Sequence, residues 1–161
     1  MNMQRMTKVS LFRWKSLMLT TAFAGAMLAF SGCGGKDDPA LPTSRNFKLT
    51  VSATGLSATD YDGATIAVAG SLLSSTESTL WKVNGQVRNN EKGISFTKAE
   101  LLAGGTFVLE SIRPLAVIDV TVSCTNFNEP FNLKIKTEVD GQVKENIDQA
   151  VTNSFEKHWQ Y

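Results

Sequence analysis

The chain has 161 residues, with 16 Lys and Arg against 15 Asp and Glu, and a single histidine. All four charged residues before Cys33 are basic, so the part from Cys33 onward carries 12 basic and 15 acidic residues, a net charge of −3. A weakly acidic chain without a basic cluster is not expected to bind nucleic acid. The sequence also lacks zinc-ligand spacing, a phosphate-binding loop and a nucleophile elbow. We therefore expect no cofactor and no enzymatic activity.

The first 32 residues have the pattern of a signal peptide. Basic residues precede an apolar run over 17–30, which is shorter than the roughly 20 residues of a membrane-spanning helix. Ser31, Gly32 and Cys33 then resemble a lipobox, the signal for lipoprotein signal peptidase, although Phe30 stands where that pattern prefers Leu. The resemblance implies that residues 1–32 are removed and that Cys33 is acylated and holds the protein at a membrane. An ordinary secretory signal and an uncleaved anchor are the alternatives.

A short tag and a tether follow Cys33. Lys36, Asp37 and Asp38 resemble the export signal of Bacteroidetes lipoproteins, and this resemblance implies transport to the outer face of the outer membrane. The alternative is that the three charged residues are simply a solvated part of the tether. Residues 33–45 contain Gly-Gly and two prolines, so we expect them to be flexible.

Residues 46–161 are predicted to form one all-β domain. Alternating apolar and polar residues predict strands over 47–53 and 117–124, and further short strands are expected over 64–70, 79–83, 94–97, 106–112 and 131–139. Asn84-Gly85 and Asp140-Gly141 predict two tight hairpins. Residues 97–100 have the spacing of a helix capping box, which indicates one helical turn. Cys124 falls in the alternation of its strand and is expected to be a buried hydrophobe, with no partner for a disulfide if Cys33 carries lipid.

The last segment, residues 147–161, fits both helical and strand spacing. Residues 151–154 (Val-Thr-Asn-Ser) are poor helix formers, so a strand is favoured. The resulting eight or nine short strands predict a single antiparallel β-sandwich, Ig-like or similar, with a small barrel as the alternative. With its lipobox, tag and hairpins, the chain resembles the small β-sandwich lipoproteins of Bacteroidetes, a resemblance that implies no defined activity.

Few residues of the domain suggest a site. His158, near the C-terminus, is more typical of a surface contact than of a catalytic triad. Residues 60–63 (Asp-Tyr-Asp-Gly) resemble the start of a calcium loop but lack the later Glu of an EF-hand, so a plain turn is favoured. Trp81, Trp159 and Tyr161, with Tyr61, are candidate contacts for a sugar, and core packing with cover of a sheet edge is the alternative.

Two functional hypotheses follow. In the first, the chain is a surface-exposed lipoprotein whose domain binds a glycan or a protein. In the second, it is a structural or assembly component that joins a larger outer-membrane complex through an open sheet edge. The membrane is the expected partner of Cys33 in both hypotheses, and the outward-directing tag favours the first.

Overall fold

A computed structural model describes residues 43–161 of the chain. The predicted signal peptide, Cys33, the predicted Lys36-Asp37-Asp38 tag and most of the predicted tether lie outside these residues, so the lipid anchor and the outer-membrane location stay predictions. The described part holds ten strands and one short helix: β1 (Phe47–Thr54), β2 (Gly63–Ser71), β3 (Trp81–Val83), β4 (Gln86–Arg88), β5 (Gly93–Thr97), α1 (Lys98–Leu102), β6 (Thr106–Ser111), β7 (Val117–Thr125), β8 (Phe131–Val139), β9 (Gln142–Val151) and β10 (Ser154–Gln160).

The strands form two antiparallel sheets, with strand orders β4-β3-β6-β1-β8-β9 and β10-β7-β2-β5. The predicted all-β sandwich is therefore confirmed, and the two sheets stay separate instead of closing into the alternative barrel. The number of strands exceeds the predicted eight or nine because residues after Asn146 supply both the second half of β9 and the whole of β10. The predicted strand at the C-terminus is thereby also confirmed.

The core lies between the two sheets and follows the period of two along each strand. In β7 the predicted inward residues Ile118, Val120, Val122 and Cys124 are all buried, and Asp119 and Thr121 alternate with them on the outer face. Burial raises the pKa of the Cys124 thiol to about 11, so at neutral pH the sulfur is an unreactive hydrophobe. This outcome agrees with the expectation from the sequence.

The turns and the helix end follow the predicted signals. Both hairpins place the residues of their turns at positive φ, which Asn-Gly and Asp-Gly tolerate: Asn84 at 49° with Gly85 at 80°, and Asp140 at 50° with Gly141 at 77°. Helix α1 is a single turn whose capping box is present, with the Thr97 N–H donating to the Glu100 carboxylate at 2.8 Å. In residues 43–161 we find no helix with the length and hydrophobicity needed to cross a membrane.

The connections divide the sandwich into two unlike ends. Four of them pass from one sheet to the other at the same end, through residues 55–62, 98–105, 126–130 and 152–153. We call this the loop end. The strand register agrees, because Gly63 and Ser154 both pair with Thr125 there. At the opposite, terminal end the chain enters β1 next to the Arg45–Leu115 bridge and finishes at Tyr161, which pairs with Ile118.

Candidate functional site at the loop end

Trp81, the first of the predicted sugar contacts, lies entirely inside the sandwich at 0% exposure. Its indole Nε1 donates to the Lys92 carbonyl at 3.0 Å, and its ring meets that of Phe47 edge-on at 6.2 Å. A fully buried ring presents no face to a sugar. The prediction that Trp81 contacts a ligand is therefore wrong, because the Trp81 indole fills the core.

Trp159 and Tyr161 are half-buried near the terminal end, and both pack against the core. The Tyr161 ring lies 5.9 Å from that of Phe47, and its hydroxyl hydrogen-bonds Thr137 Oγ1 at 2.9 Å. These contacts match the alternative interpretation, in which the terminal pair covers the edge of the sheet. His158 immediately precedes Trp159, and its Nε2 is 2.8 Å from the exposed Asp119 carboxylate on β7. That exposed pair shows the surface contact expected of His158.

The large aromatic side chains that are exposed lie at the other end of the molecule. Tyr61 is 88% exposed and Phe127 is 66% exposed, the two highest values among large hydrophobic side chains of residues 43–161. Tyr61 belongs to the connection from β1 to β2, and Phe127 to the connection from β7 to β8. Sequence reasoning weighed Tyr61 but missed Phe127, since residues 126–130 carried only a loop signal.

The Asp62 side chain joins these two loops. It is only 5% exposed, and its Oδ1 accepts a hydrogen bond from the Phe127 N–H at 2.9 Å. Its other oxygen, Oδ2, is buried and has no hydrogen-bond partner among the described residues. Leaving a buried charged oxygen unpaired costs on the order of 1–3 kcal/mol or more. Asp62 thus lowers the stability of the fold, in the position where the sequence suggested a plain turn.

Further contacts hold the loop end together around Asp62. Asn126 is buried, and its side-chain Nδ2 donates to the Glu129 carbonyl while its backbone N–H donates to the Asn153 carbonyl. The Lys98 ammonium, in helix α1, donates to the carbonyl of Asp60. All four connections of the loop end are therefore tied by hydrogen bonds into one cluster. Its centre is polar, and its rim carries the two exposed aromatic rings.

The chemistry of this cluster is that of oxygen ligands. Its loops carry the carboxylates of Asp60 and Asp62, the amide of Asn126 and backbone carbonyls, and the carbonyls of Asp60 and Glu129 already accept hydrogen bonds from Lys98 and Asn126. Within residues 43–161 no three His, Cys, Asp or Glu side chains converge as a ready metal cage. Carboxylate, amide and carbonyl oxygens are the ligand types that hard cations such as calcium take in proteins.

The fold resembles that of solved proteins from Bacteroidetes. One is the NMR structure of the calcium-bound form of a protein from Parabacteroides distasonis, with a TM-score of 0.53 and 14% identity over 78% of this chain and 99% of that one. Another is a domain of unknown function, DUF4425, from Bacteroides vulgatus, with a TM-score of 0.51 and 10% identity over 73% of this chain and 94% of that one.

A DUF4425 family protein from Bacteroides ovatus has a TM-score of 0.50 and 11% identity, over 74% of this chain and 95% of that one. No family model matches the sequence, and no curated protein matches it. At these identities the likeness shows the fold alone. The chain shares the architecture of Bacteroidetes proteins of unknown function.

Proposed function

We propose that this chain is an outer-membrane lipoprotein, anchored through Cys33 and facing the cell exterior, that binds a glycan or protein ligand at its loop end. The lipobox and the Lys36-Asp37-Asp38 tag support the anchor and the address. The observation that carries the binding role is the separation of the two ends of the sandwich. The tether joins at the terminal end, and the exposed aromatic side chains lie at the other.

The length of the sandwich sets how far the loop end stands from the tether. Strand β1 has 8 residues and runs from the terminal end to the loop end. At about 3.3 Å per residue the two ends are about 25 Å apart. With the predicted tether joining next to the Arg45–Leu115 bridge, the domain can therefore present the loop end away from the membrane, where a large ligand has access.

Tyr61 and Phe127 supply the contact surface of the proposed site. Exposing large rings to water is unfavourable unless a partner covers them, and aromatic side chains dominate the energetics of many binding surfaces. Asp62 fixes the two loops that carry these rings, since it lies next to Tyr61 in sequence and accepts the Phe127 N–H. The loop end thus offers anchored aromatic rings, which suit the C–H face of a sugar or an apolar side chain of a protein.

A calcium ion is a further candidate ligand of the same end. The Parabacteroides distasonis neighbour is a calcium-bound form, and the loop end of this chain carries Asp60 and Asp62.

The second function that the sequence suggested, assembly into a larger complex, is favoured by a different feature. Strand β9 is ten residues long and forms an open edge of the larger sheet, where another strand can add.

The proposal is tested in intact cells that produce the wild-type protein, a Cys33→Ala variant or a Tyr61→Ala/Phe127→Ala double variant. We expect protease to remove the wild-type protein from the cell surface, and the Cys33→Ala protein to be lost from the membrane fraction. Purified wild-type protein should then retain partners on a glycan array or after mild crosslinking, and the double variant should not. A double variant that keeps every partner would move the site away from the loop end and favour the β9 edge.

A further inference from the structure

We propose that Asp62 anchors a calcium ion at the loop end and that this ion fixes the relative position of Tyr61 and Phe127. The calcium site is inferred from the contacts of the loop end. Its value for ligand capture rests on the proposed function above.

Only one of the two Asp62 carboxylate oxygens has a hydrogen-bond partner among the described residues. Its Oδ1 accepts a hydrogen bond from the Phe127 N–H at 2.9 Å, and its buried Oδ2 has no hydrogen bond within the described part of the chain. A buried carboxylate is retained in proteins when it is paired, hydrogen-bonded or bound to a metal. Asp62 meets only half of that requirement through its protein contacts, and a cation on Oδ2 would meet the rest.

The oxygen groups of the loops around Asp62 indicate which cation would bind there. The two loops that Asp62 joins also carry the Asp60 carboxylate, two residues before Asp62, the side-chain amide of Asn126, next to Phe127, and their backbone carbonyls. Calcium takes six to eight such oxygens in flexible geometry and keeps waters among them, whereas magnesium demands a near-ideal octahedron. Irregular loops with two carboxylates therefore favour calcium, at the modest affinity of sites with few charged ligands.

Asp62 connects the proposed ion to the two loops that carry the exposed aromatic rings. Asp62 follows Tyr61 in one loop, and its carboxylate accepts a hydrogen bond from the Phe127 N–H in the other. The backbones of both aromatic residues are therefore connected to the residue that would bind the ion. An ion on Oδ2 adds a bond to the side chain that links these two residues. Calcium would thereby reduce the motion of the two loops and preorganise the rings, which lowers the cost of binding a ligand.

The experiment uses the full-length protein, purified in detergent and freed of metal with EDTA. Calcium is titrated by calorimetry, with magnesium as the matched ion, and the thermal midpoint is recorded with each ion at about 10 mM. We expect calcium alone to give a one-site isotherm with a Kd of about 0.1–1 mM. We expect it to raise the midpoint by about 5–10 °C.

Two variants with the same change of charge give the control. Asp62→Asn keeps an oxygen for the Phe127 N–H but loses the carboxylate, whereas Asp119→Asn makes the same change on β7 near the terminal end. Without calcium, Asp62→Asn should be at least as stable as the wild type, because the unpaired charge is gone. With calcium, Asp62→Asn should be less stable than the wild type. Asp119→Asn should have the same stability as the wild type under both conditions.

The role of the ion in positioning the rings is read from amide hydrogen exchange at Tyr61 and Phe127. We expect calcium to slow exchange of the Phe127 amide about tenfold in the wild type and not in Asp62→Asn. Absence of a calcium isotherm, or an unchanged Kd in Asp62→Asn, would overturn the calcium site, and unchanged exchange with a normal isotherm would overturn the link to the rings. Surface exposure and capture of partners are measured separately in cells, so failure of the proposed function is distinguishable.

Discussion

The two ends of the sandwich use aromatic residues in opposite ways. At the terminal end the rings of Phe47, Trp81 and Tyr161 pack on one another and into the core. At the loop end Tyr61 and Phe127 project into solvent. The polar groups differ as well, because Trp81 and Tyr161 both have hydrogen-bond partners, whereas Asp62 keeps a buried oxygen without one. One end thus contributes stability, and the other carries the features on which the proposed ligand site rests.

The largest expected effect comes from removing an aromatic ring at the terminal end. Trp81→Ala should lower the free energy of unfolding by about 3–5 kcal/mol, since it deletes a fully buried indole and leaves a cavity. Phe127→Ala, the matched change at the loop end, should alter it by less than about 0.5 kcal/mol. Urea unfolding of both variants measures the difference, and equal losses would show that Phe127 is also a structural residue.

A pair of glycines on strand β2 tests the same contrast on a smaller scale. A Cβ at Gly70 would stand 2.7 Å from a ring carbon of Trp81 and 2.8 Å from Leu115, so Gly70→Ala should destabilise the fold by about 1–3 kcal/mol. A Cβ at Gly63, at the loop end of the strand, would meet only Thr125 at 4.0 Å. Gly63→Ala should therefore be neutral or stabilise by up to about 1 kcal/mol. Thermal unfolding of the two variants measures this difference in stability. An unchanged unfolding midpoint in Gly70→Ala would mean that Trp81 has room to move.

The hydroxyl of Tyr161 gives the next smaller effect, together with a dependence on pH. Tyr161→Phe loses the 2.9 Å hydrogen bond to Thr137 and should cost about 1 kcal/mol at neutral pH. Burial raises the pKa of the Tyr161 phenol, which the hydrogen bond to Thr137 lowers in part. The folded state therefore holds this proton more tightly than the unfolded one.

The sign of the pH dependence follows from that difference in proton binding. The stability that Tyr161 contributes is complete below the unfolded pKa of about 10 and is lost as the pH rises through the raised folded value. Wild type and Tyr161→Phe should consequently converge above pH 10 when urea unfolding is followed from pH 8 to 11. A constant gap between the two proteins over this range would contradict the shift.

The regular parts of the fold could be predicted because their signals are local. The alternation from Ile118 to Cys124 determines which face of β7 is buried, and Asn84-Gly85 and Asp140-Gly141 specify turns that need positive φ. Trp81 was misassigned because a strand pattern does not say whether a large ring faces a core or a ligand. The structure shows that the indole faces the core, where Gly70 has no side chain and leaves space for the ring.

The loop end was not predictable in the same way, because its contacts join residues far apart in sequence. Asp62 and Phe127 are 65 positions apart, and Asn126 meets Asn153 through a third connection. The Asp-Tyr-Asp-Gly motif was visible, but its meaning depends on whether Asp62 is buried, which the sequence does not encode locally. The residues that carry the proposed function are thus those whose environment is set by the topology.

The smallest expected effect on stability belongs to Lys98, whose ammonium donates to the Asp60 carbonyl beside the proposed calcium site. Lys98→Gln should change the free energy of unfolding by less than about 0.5 kcal/mol, because the side chain is partly solvated. It should nevertheless tighten calcium binding about threefold to tenfold, since it removes a positive charge that repels the ion. Lys144→Gln, on β9 next to the hairpin of the terminal end, is the matched control and should leave the calcium Kd unchanged. Weaker calcium binding to Lys98→Gln in a calorimetric titration would contradict this repulsion. It would show that the Lys98 ammonium positions the Asp60 loop for the ion.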